Sequence, residues 1–240
     1  MDSKSKNNDP FGKAILAYAN TKNKDLQIEV LQEDFEPDLI PIHYLFRTKK
    51  DMPKLELDAL KICKEKVLDV GAAAACHSKI LKDNGKKTTL IDVSEGAIEY
   101  IKKEKFENAY CQSIFEFQSK EKFDTILLLM NGIGIAGSID GLKILLEHLK
   151  TLLAPGGEIL LDSSDIKYLF EEEDGSFLIP ISKYYGETKY QVKFKHEISD
   201  WFPWLFIDFD TLKMYSEKAG YKVTLVSTGE HFEYLAKLSL

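Results

Sequence analysis

From Val67 onward, short apolar runs alternate with stretches of helical period. Val67-Leu68-Asp69-Val70 is the first run and Thr88-Thr89-Leu90-Ile91-Asp92 the second. Asn108-Ala109-Tyr110-Cys111-Gln112 is a weak third, Phe123 to Met130 a strong fourth, and Glu158-Ile159-Leu160-Leu161-Asp162 a fifth. The fourth is apolar on both faces, as a central strand of a parallel sheet must be. Between the runs, residues 78–82, then Ala97, Ile98 and Ile101, then Leu142, Leu145, Leu146, Leu149, Leu152 and Leu153 mark helices. Gly85 suits the end of the first, Ser94 caps the second, and Ala154-Pro155-Gly156-Gly157 terminates the third. Such alternation predicts an α/β fold whose parallel strands are joined by right-handed crossovers.

The flanking regions have a different pattern. Residues 1–8 read as a frayed tail, and Asp9-Pro10 then offers a cap and a first helical residue. Phe11, Ile15 and Tyr18 or Ala19 share a helical face, and the polar run Asn20 to Asp25 ends it. Leu26, Ile28 and Val30 alternate as in a half-exposed strand. Pro37 and Pro41 interrupt the chain after that strand, and Ile42 to Arg47 is aromatic and expected to be extended. Asp51-Met52-Pro53 is a cap for a helix over about 54–64, with Leu55, Ala59 and Ile62 on its stripe. Beyond the fifth run, Glu171 to Gly175 is an acidic loop. Thr188–Ile198 alternates and Trp201–Ile207 is aromatic, which predicts an antiparallel insertion at about 184–207. Asp210 is placed as the cap of a helix carrying Leu212, Tyr215 and Ala219 and closed by Gly220. Tyr221–Ser227 and His231–Leu238 read as a C-terminal hairpin. The change at Lys66 divides one globular unit into a cap or lid segment, 1–66, and a main domain, 67–240.

Composition narrows the classes. At 240 residues, 44% of them hydrophobic, one large domain with a real core is expected. A net charge of -7 disfavours a grip on long nucleic acid. The three cysteines, Cys63, Cys76 and Cys111, are odd in number and form no CxxC, so neither a disulfide framework nor a structural zinc site is expected. The polar N-terminus does not read as a signal peptide, and no apolar stretch reaches about eighteen residues, so a cytoplasmic protein off the membrane is expected.

The candidate chemistry lies in residues 67–81, a strand, a turn of very small residues, then a helix. That order aims backbone N–H groups and a helix N-terminus at a ligand above the strand end. Asp92 comes about twenty residues after Gly71, the spacing at which a carboxylate can take a ribose diol. The competing reading of the turn is close helix–strand packing with no ligand. Cys76 and His77 read as packing residues, and Asp162 to Asp165 as a strand end followed by a helix cap rather than a metal cluster. His43, Tyr44 and Arg47 fit either a structural arm or a lid over an acceptor pocket. Trp201, Phe202, Trp204 and Phe206 read as core or a subunit contact, which leaves a homodimer open, although they could wall a pocket.

The motifs Val67-Leu68-Asp69-Val70-Gly71, Leu90-Ile91-Asp92-Val93-Ser94, Phe123-Asp124-Thr125-Ile126 and Leu152 to Gly157, together with the closing hairpin, resemble in order and spacing the class I S-adenosylmethionine (SAM)-dependent methyltransferases. The resemblance covers about residues 67–240. It implies a Rossmann-like, seven-stranded, mostly parallel sheet with helices on both faces and an antiparallel last strand beside the fifth. It also implies SAM as cofactor and a small-molecule or protein acceptor. Gly71, with Ala72 and Ala73, would then meet the methionine part, and Asp69 would sit at the base of the turn. Asp92, with Val93 beside it, would take the ribose hydroxyls. Ser113 and Ile114 would flank the adenine, and Asn131 would lie near the methyl group. No catalytic side chain is implied. The chain departs from the family pattern at Ala73 and Ala75, where glycines are usual, and at Ser113, where an aspartate or similar polar residue is common. The alanines support an alternative, a methyltransferase-like binding module with weakened cofactor binding. A nicotinamide-dependent oxidoreductase is a further alternative, but it would want glycine where Cys76 stands.

Overall fold

The computed structural model describes residues 8–33 and 35–240, so the expected tail lies outside them except for Asn8. Helix α1 (Pro10–Thr21) starts as its sequence dictates. The Asp9 carboxylate accepts the Gly12 N–H at 2.8 Å, and Pro10 takes a first-turn position that needs no donor. Strands β1 (Gln27–Gln32) and β2 (Asp38–Pro41) pair antiparallel. Ile42–Phe46 is a 3-10 helix, not the extended segment expected from its aromatic character. Ile42 and Leu45, three residues apart, are both buried, and a three-residue turn puts them on one side. Helix α2 (Lys54–Ile62) buries Leu55, Ala59 and Leu60, while Ile62 is 37% exposed. Its cap position is Pro53, and Asp51 instead accepts from the Thr48 hydroxyl at 2.9 Å.

The alternating region comprises β3 (Lys66–Val70), α3 (Cys76–Asp83), β4 (Lys87–Asp92), α4 (Glu95–Lys103), β5 (Ala109–Cys111), β6 (Phe123–Leu128), α5 (Ile139–Leu152) and β7 (Leu153–Ser164). Ser94 caps α4 through the Ala97 N–H, as expected. The loop expected after β6 is a 3-10 turn, Gly132–Ala136. Strands β8 (Glu187–Phe194), β9 (Glu197–Ile198) and β10 (Phe202–Leu205) form the insertion, and β8 pairs with β10 antiparallel. The alternation read over 188–198 is broken by a turn at Lys195, where φ is 57°. Helix α6 (Phe209–Lys218) is capped by Asp208, not Asp210. Asp208 accepts the Thr211 N–H at 2.9 Å, and Asp210 sits in the first turn, where a carboxylate meets the positive end of the helix dipole. Strands β11 (Lys222–Thr228) and β12 (Glu233–Ser239) form the final hairpin.

The main sheet has the order β11-β12-β7-β6-β3-β4-β5. Strands β3 to β7 pair in parallel, and β12 runs antiparallel between β7 and β11. Leu68, Ile126, Leu128 and Ile159 face the leucines of α5 on one side. Val67, Leu127 and Leu160 face Leu55, Ala59 and Leu81 of α2 and α3 on the other. A second sheet, β10-β8-β1-β2 with β9 on β8, joins the N-terminal strands to the insertion through pairs such as Val30 with Val192. Periodicity assigns a strand its buried face but not its partner, so this union had no signature along the chain.

A close helix crossing and a left-handed turn set the geometry around β4. Helices α1 and α4 cross at Gly12 and Gly96, where a Cβ built on Gly96 would stand 2.6 Å from the Gly12 backbone. The turn after β3 has φ of 71° at Gly71, 47° at Ala73 and 58° at Ala75. Both alanines therefore occupy the left-handed region, at a cost of about 1–2 kcal/mol each. Their methyl groups pack into the protein. Ala75 is fully buried with Leu90, Ile98 and Ile101, and Ala73 lies against the cluster of Ile15, Leu45 and Ala74.

Gly96→Ala should therefore drive α1 off α4 and destabilise the protein by about 1–3 kcal/mol, read as a lower midpoint in urea unfolding. At the turn, Ala75→Gly should change stability by less than about 1 kcal/mol, because relief of φ and loss of burial oppose each other. Ala75→Val, which adds β-branching at a positive φ in a filled core, should cost more than Gly in the same assay.

Candidate functional site

The C-terminal ends of β3, β4 and β5 bring most of the sequence-read positions together. Asp92, at the end of β4, accepts the Ala73 N–H at 2.8 Å through Oδ2 and the Ser94 N–H at 2.9 Å through Oδ1. The Gly71 and Ala72 N–H groups both donate to the Ile91 carbonyl, at 2.9 and 3.2 Å. The turn after β3 is thus fastened to β4 through three of its amides. Burial pushes the Asp92 carboxyl up to about 6, against the two N–H donors, and the charges of Asp9 and Asp69 add to the rise. Each Asp92 oxygen keeps lone-pair capacity beyond its backbone donor. Gly71 is exposed and Val93 is 73% exposed, so the floor between the two strand ends is open.

Asp69 lies beneath this floor. It is buried, accepts the Ser78 hydroxyl at 2.6 Å and is raised in pKa by burial, so it fastens α3 to β3. Beyond β5, the Gln112 N–H donates to the Asp92 carbonyl at 2.9 Å, which places Ser113 and Ile114 beside the same strand end. The Ser113 hydroxyl accepts the Phe115 N–H at 3.3 Å, and Ile114 is buried in the core.

Asn131 stands apart, at the end of β6. Met130 and Asn131 have φ of 61° and 53°, an uncommon pair of left-handed residues. Their N–H groups are held by the Asp162 carboxylate at 3.2 and 2.7 Å. The Asn131 side chain accepts the Ser163 hydroxyl at 2.7 Å and donates to the Leu205 carbonyl at 3.3 Å. It therefore ties β6 and β7 to β10 of the second sheet. The indole of Trp204 lies against Gly134, where any Cβ would collide with it. Trp204 and the neighbouring Pro203 of the insertion thus form a roof over the turn after β6. Asp162 is half-buried, and burial pushes its carboxyl up to about 7.

Sequence reasoning missed a buried ionic cluster. Arg47 and His77 both contact Oε2 of Glu56, His77 at 2.5 Å, and all three residues are buried. Arg47 also stacks on the Tyr44 ring, 4.3 Å from its centroid, and donates to the Tyr44 carbonyl at 2.8 Å. Burial opposes the imidazolium, but contacts with Cys76 and Glu56 outweigh it and push His77 up to about 10. The cluster anchors the 3-10 segment to α3. Its sole signal along the chain was Glu56, which shares a helical face with the apolar Ala59 and Leu60.

Comparison with known proteins gives the context. The family model described as a methyltransferase domain matches residues 23–225. No curated protein matches. Among solved structures, a SAM-dependent methyltransferase from Bacteroides fragilis in complex with S-adenosyl-L-homocysteine is 40% identical, with a TM-score of 0.90 over 97% of this chain and 95% of that one. A S-adenosylmethionine-dependent methyltransferase from Clostridium acetobutylicum is 12% identical, with a TM-score of 0.59 over 80% and 94%. A SAM-bound amino pentose methyltransferase from Micromonospora echinaspora is 12% identical, with a TM-score of 0.52 over 76% and 86%. The last two share the fold alone. Among the described residues, no helix is long and apolar enough to cross a membrane. At 40% identity over nearly the whole of both chains, and with the family model spanning the second sheet and the main sheet as far as the start of β11, this protein belongs to the class I SAM-dependent methyltransferases and is an enzyme whose cofactor is S-adenosyl-L-methionine.

Proposed function

We propose that the enzyme seats the adenosyl half of SAM on the Ala73–Asp92–Ser94 junction and methylates a small molecule beneath the second sheet. The observation that carries the cofactor reading is Asp92, a buried carboxylate at an open strand end, fixed by two backbone donors and with acceptor capacity left for a ribose diol. Gly71 with the backbone of Ala72 and Ala73 would lie along the methionine part. Val93 would offer an apolar surface to the adenine, with Ser113 and Ile114 at its edge. The two alanine methyls point into the core clusters, which favours retained binding over the weakened module.

The small-molecule reading rests on the roof. Trp204 on Gly134 and Pro203 close to Gly137 cover the β6 end, and the Asn131 side chain holds that cover in place. When bound, SAM supplies an electrophilic sulfonium methyl. The residues around it need to orient the acceptor and exclude water, and orientation can be worth about 7–11 kcal/mol. For an acceptor that must lose a proton, Asp162 is the group to receive it. It lies at the end of β7 beside the turn after β6, partly buried, and a pKa of about 7 matches a base working near neutrality.

Calorimetric titration with S-adenosylhomocysteine tests the reading, and absence of binding at millimolar ligand would sink it. Asp92→Ala should weaken binding at least about tenfold, since two hydrogen bonds to a charged acceptor exceed the 1.4 kcal/mol that tenfold represents. Ribose hydroxyls donate to the ionised carboxylate, so affinity should fall as pH drops through about 6 and stay level above it. Asp92→Asn should flatten that profile, and an unchanged profile would show that another group controls it.

A further inference from the structure

Asp9 bridges the N-terminal helix to the proposed ribose site. Its Oδ1 caps α1 through Gly12, while its Oδ2 accepts the Ser94 hydroxyl at 2.8 Å and the Gly96 N–H at 3.0 Å. One carboxylate therefore serves the first turns of two helices, brought into contact by the Gly12–Gly96 crossing. The Ser94 hydroxyl, with its proton directed at Asp9, turns a lone pair to the Ala97 N–H at 3.0 Å. The backbone N–H of the same serine holds Asp92 Oδ1. From Asp9 to Asp92 there is thus an unbroken path through one residue, and it leads from the cap segment to the strand end.

We propose that Asp9 is a positioning residue for cofactor binding. It sets the Asp92-Val93-Ser94 segment so that the carboxylate meets the ribose hydroxyls, and it thereby couples docking of α1 to binding of the nucleoside. This rests on the assignment of Asp92 to the ribose. Coupling of this kind is reciprocal, so ligand should also hold α1 in place. The negative charge of Asp9 contributes to the raised pKa of Asp92, in keeping with their proximity.

The test compares 5′-methylthioadenosine with its 2′-deoxy counterpart by competition against S-adenosylhomocysteine, using the full chain. The wild type should prefer the ribose form at least about tenfold, the factor that 1.4 kcal/mol gives. In Asp9→Ala that preference should shrink to below about threefold. Asp9→Asn, which keeps one acceptor oxygen and can serve one helix but not both, should fall between them and guards against failure of Asp9→Ala to fold. In hydrogen exchange on the wild type, S-adenosylhomocysteine should slow the amides of residues 10–21. Equal weakening of both ligands, with the ribose preference intact, would show Asp9 to be a stabiliser of the fold and overturn the proposal. Binding of S-adenosylhomocysteine by a wild type that shows no ribose preference would instead overturn the Asp92 assignment, and the coupling with it.

Discussion

The pair of backbone hydrogen bonds accepted by Asp92 is the contact on which the site depends. One comes from the turn after β3 and one from just beyond β4. Neither amide can be satisfied within regular structure, because both lie where the chain leaves a strand, and a buried unpaired donor would cost about 1–3 kcal/mol. A single carboxylate removes both penalties and fixes the spacing of two strand ends. The same burial that makes the arrangement rigid makes the ionised carboxyl harder to keep, hence its raised pKa. A ligand with two hydroxyl donors would relieve that tension directly.

The rest of the molecule keeps that pair of strand ends in register. Beneath it, Asp69 and Ser78 pin α3 to β3. On the α1 side, the glycine crossing allows Asp9 to reach Ser94. On the α2 side, the Arg47–Glu56–His77 cluster fastens the 3-10 segment to the start of α3. Breaking such a buried cluster by removing one partner costs more than the cluster itself contributes, because a charge is left unpaired. Its role is therefore best understood as fixing where the N-terminal segment docks. The roof obeys the same logic at β6, where Asp162 holds two left-handed amides and Asn131 reaches up to β10.

The main sheet was legible along the chain because its determinants are local. Apolar runs, caps such as Asp9 and Ser94, and the glycines after α3 and α5 each act within a few residues. The antiparallel last strand came from the family resemblance, and the pairing of β12 with β7 agrees with it. What was not legible depends on partners distant in sequence. Val30 meets Val192, and Glu56 on α2 meets His77 only after α2 has packed on α3. Ile42–Phe46 misled because aromatic content argues for extension, whereas the i, i+3 burial of Ile42 and Leu45 selects a 3-10 turn. Asp208 was passed over for Asp210 because two aspartates two residues apart fit a cap equally well until the helix start is known. The sequence-read cofactor positions cluster at the β3, β4 and β5 ends, while the side chain of Asn131 is committed to β7 and β10.

The alanine turn shows how a departure from the family pattern is accommodated by burial at one position and by a hydrogen bond at the other. Each positive φ at Ala73 and Ala75 costs about 1–2 kcal/mol. Burying one methyl contributes roughly 0.8 kcal/mol. An alanine also has fewer unfolded conformations to lose than a glycine, worth about 0.4–1 kcal/mol. For Ala75, which is fully buried, the two gains together match the strain. For Ala73, which is only partly buried, the balance tilts towards strain, and this is the residue whose N–H donates to Asp92. The backbone there is held by the carboxylate rather than by its own preference. Glycine at 73 would adopt the same φ without help, so in this chain the hydrogen bond to Asp92 has to shape the turn as well as anchor it.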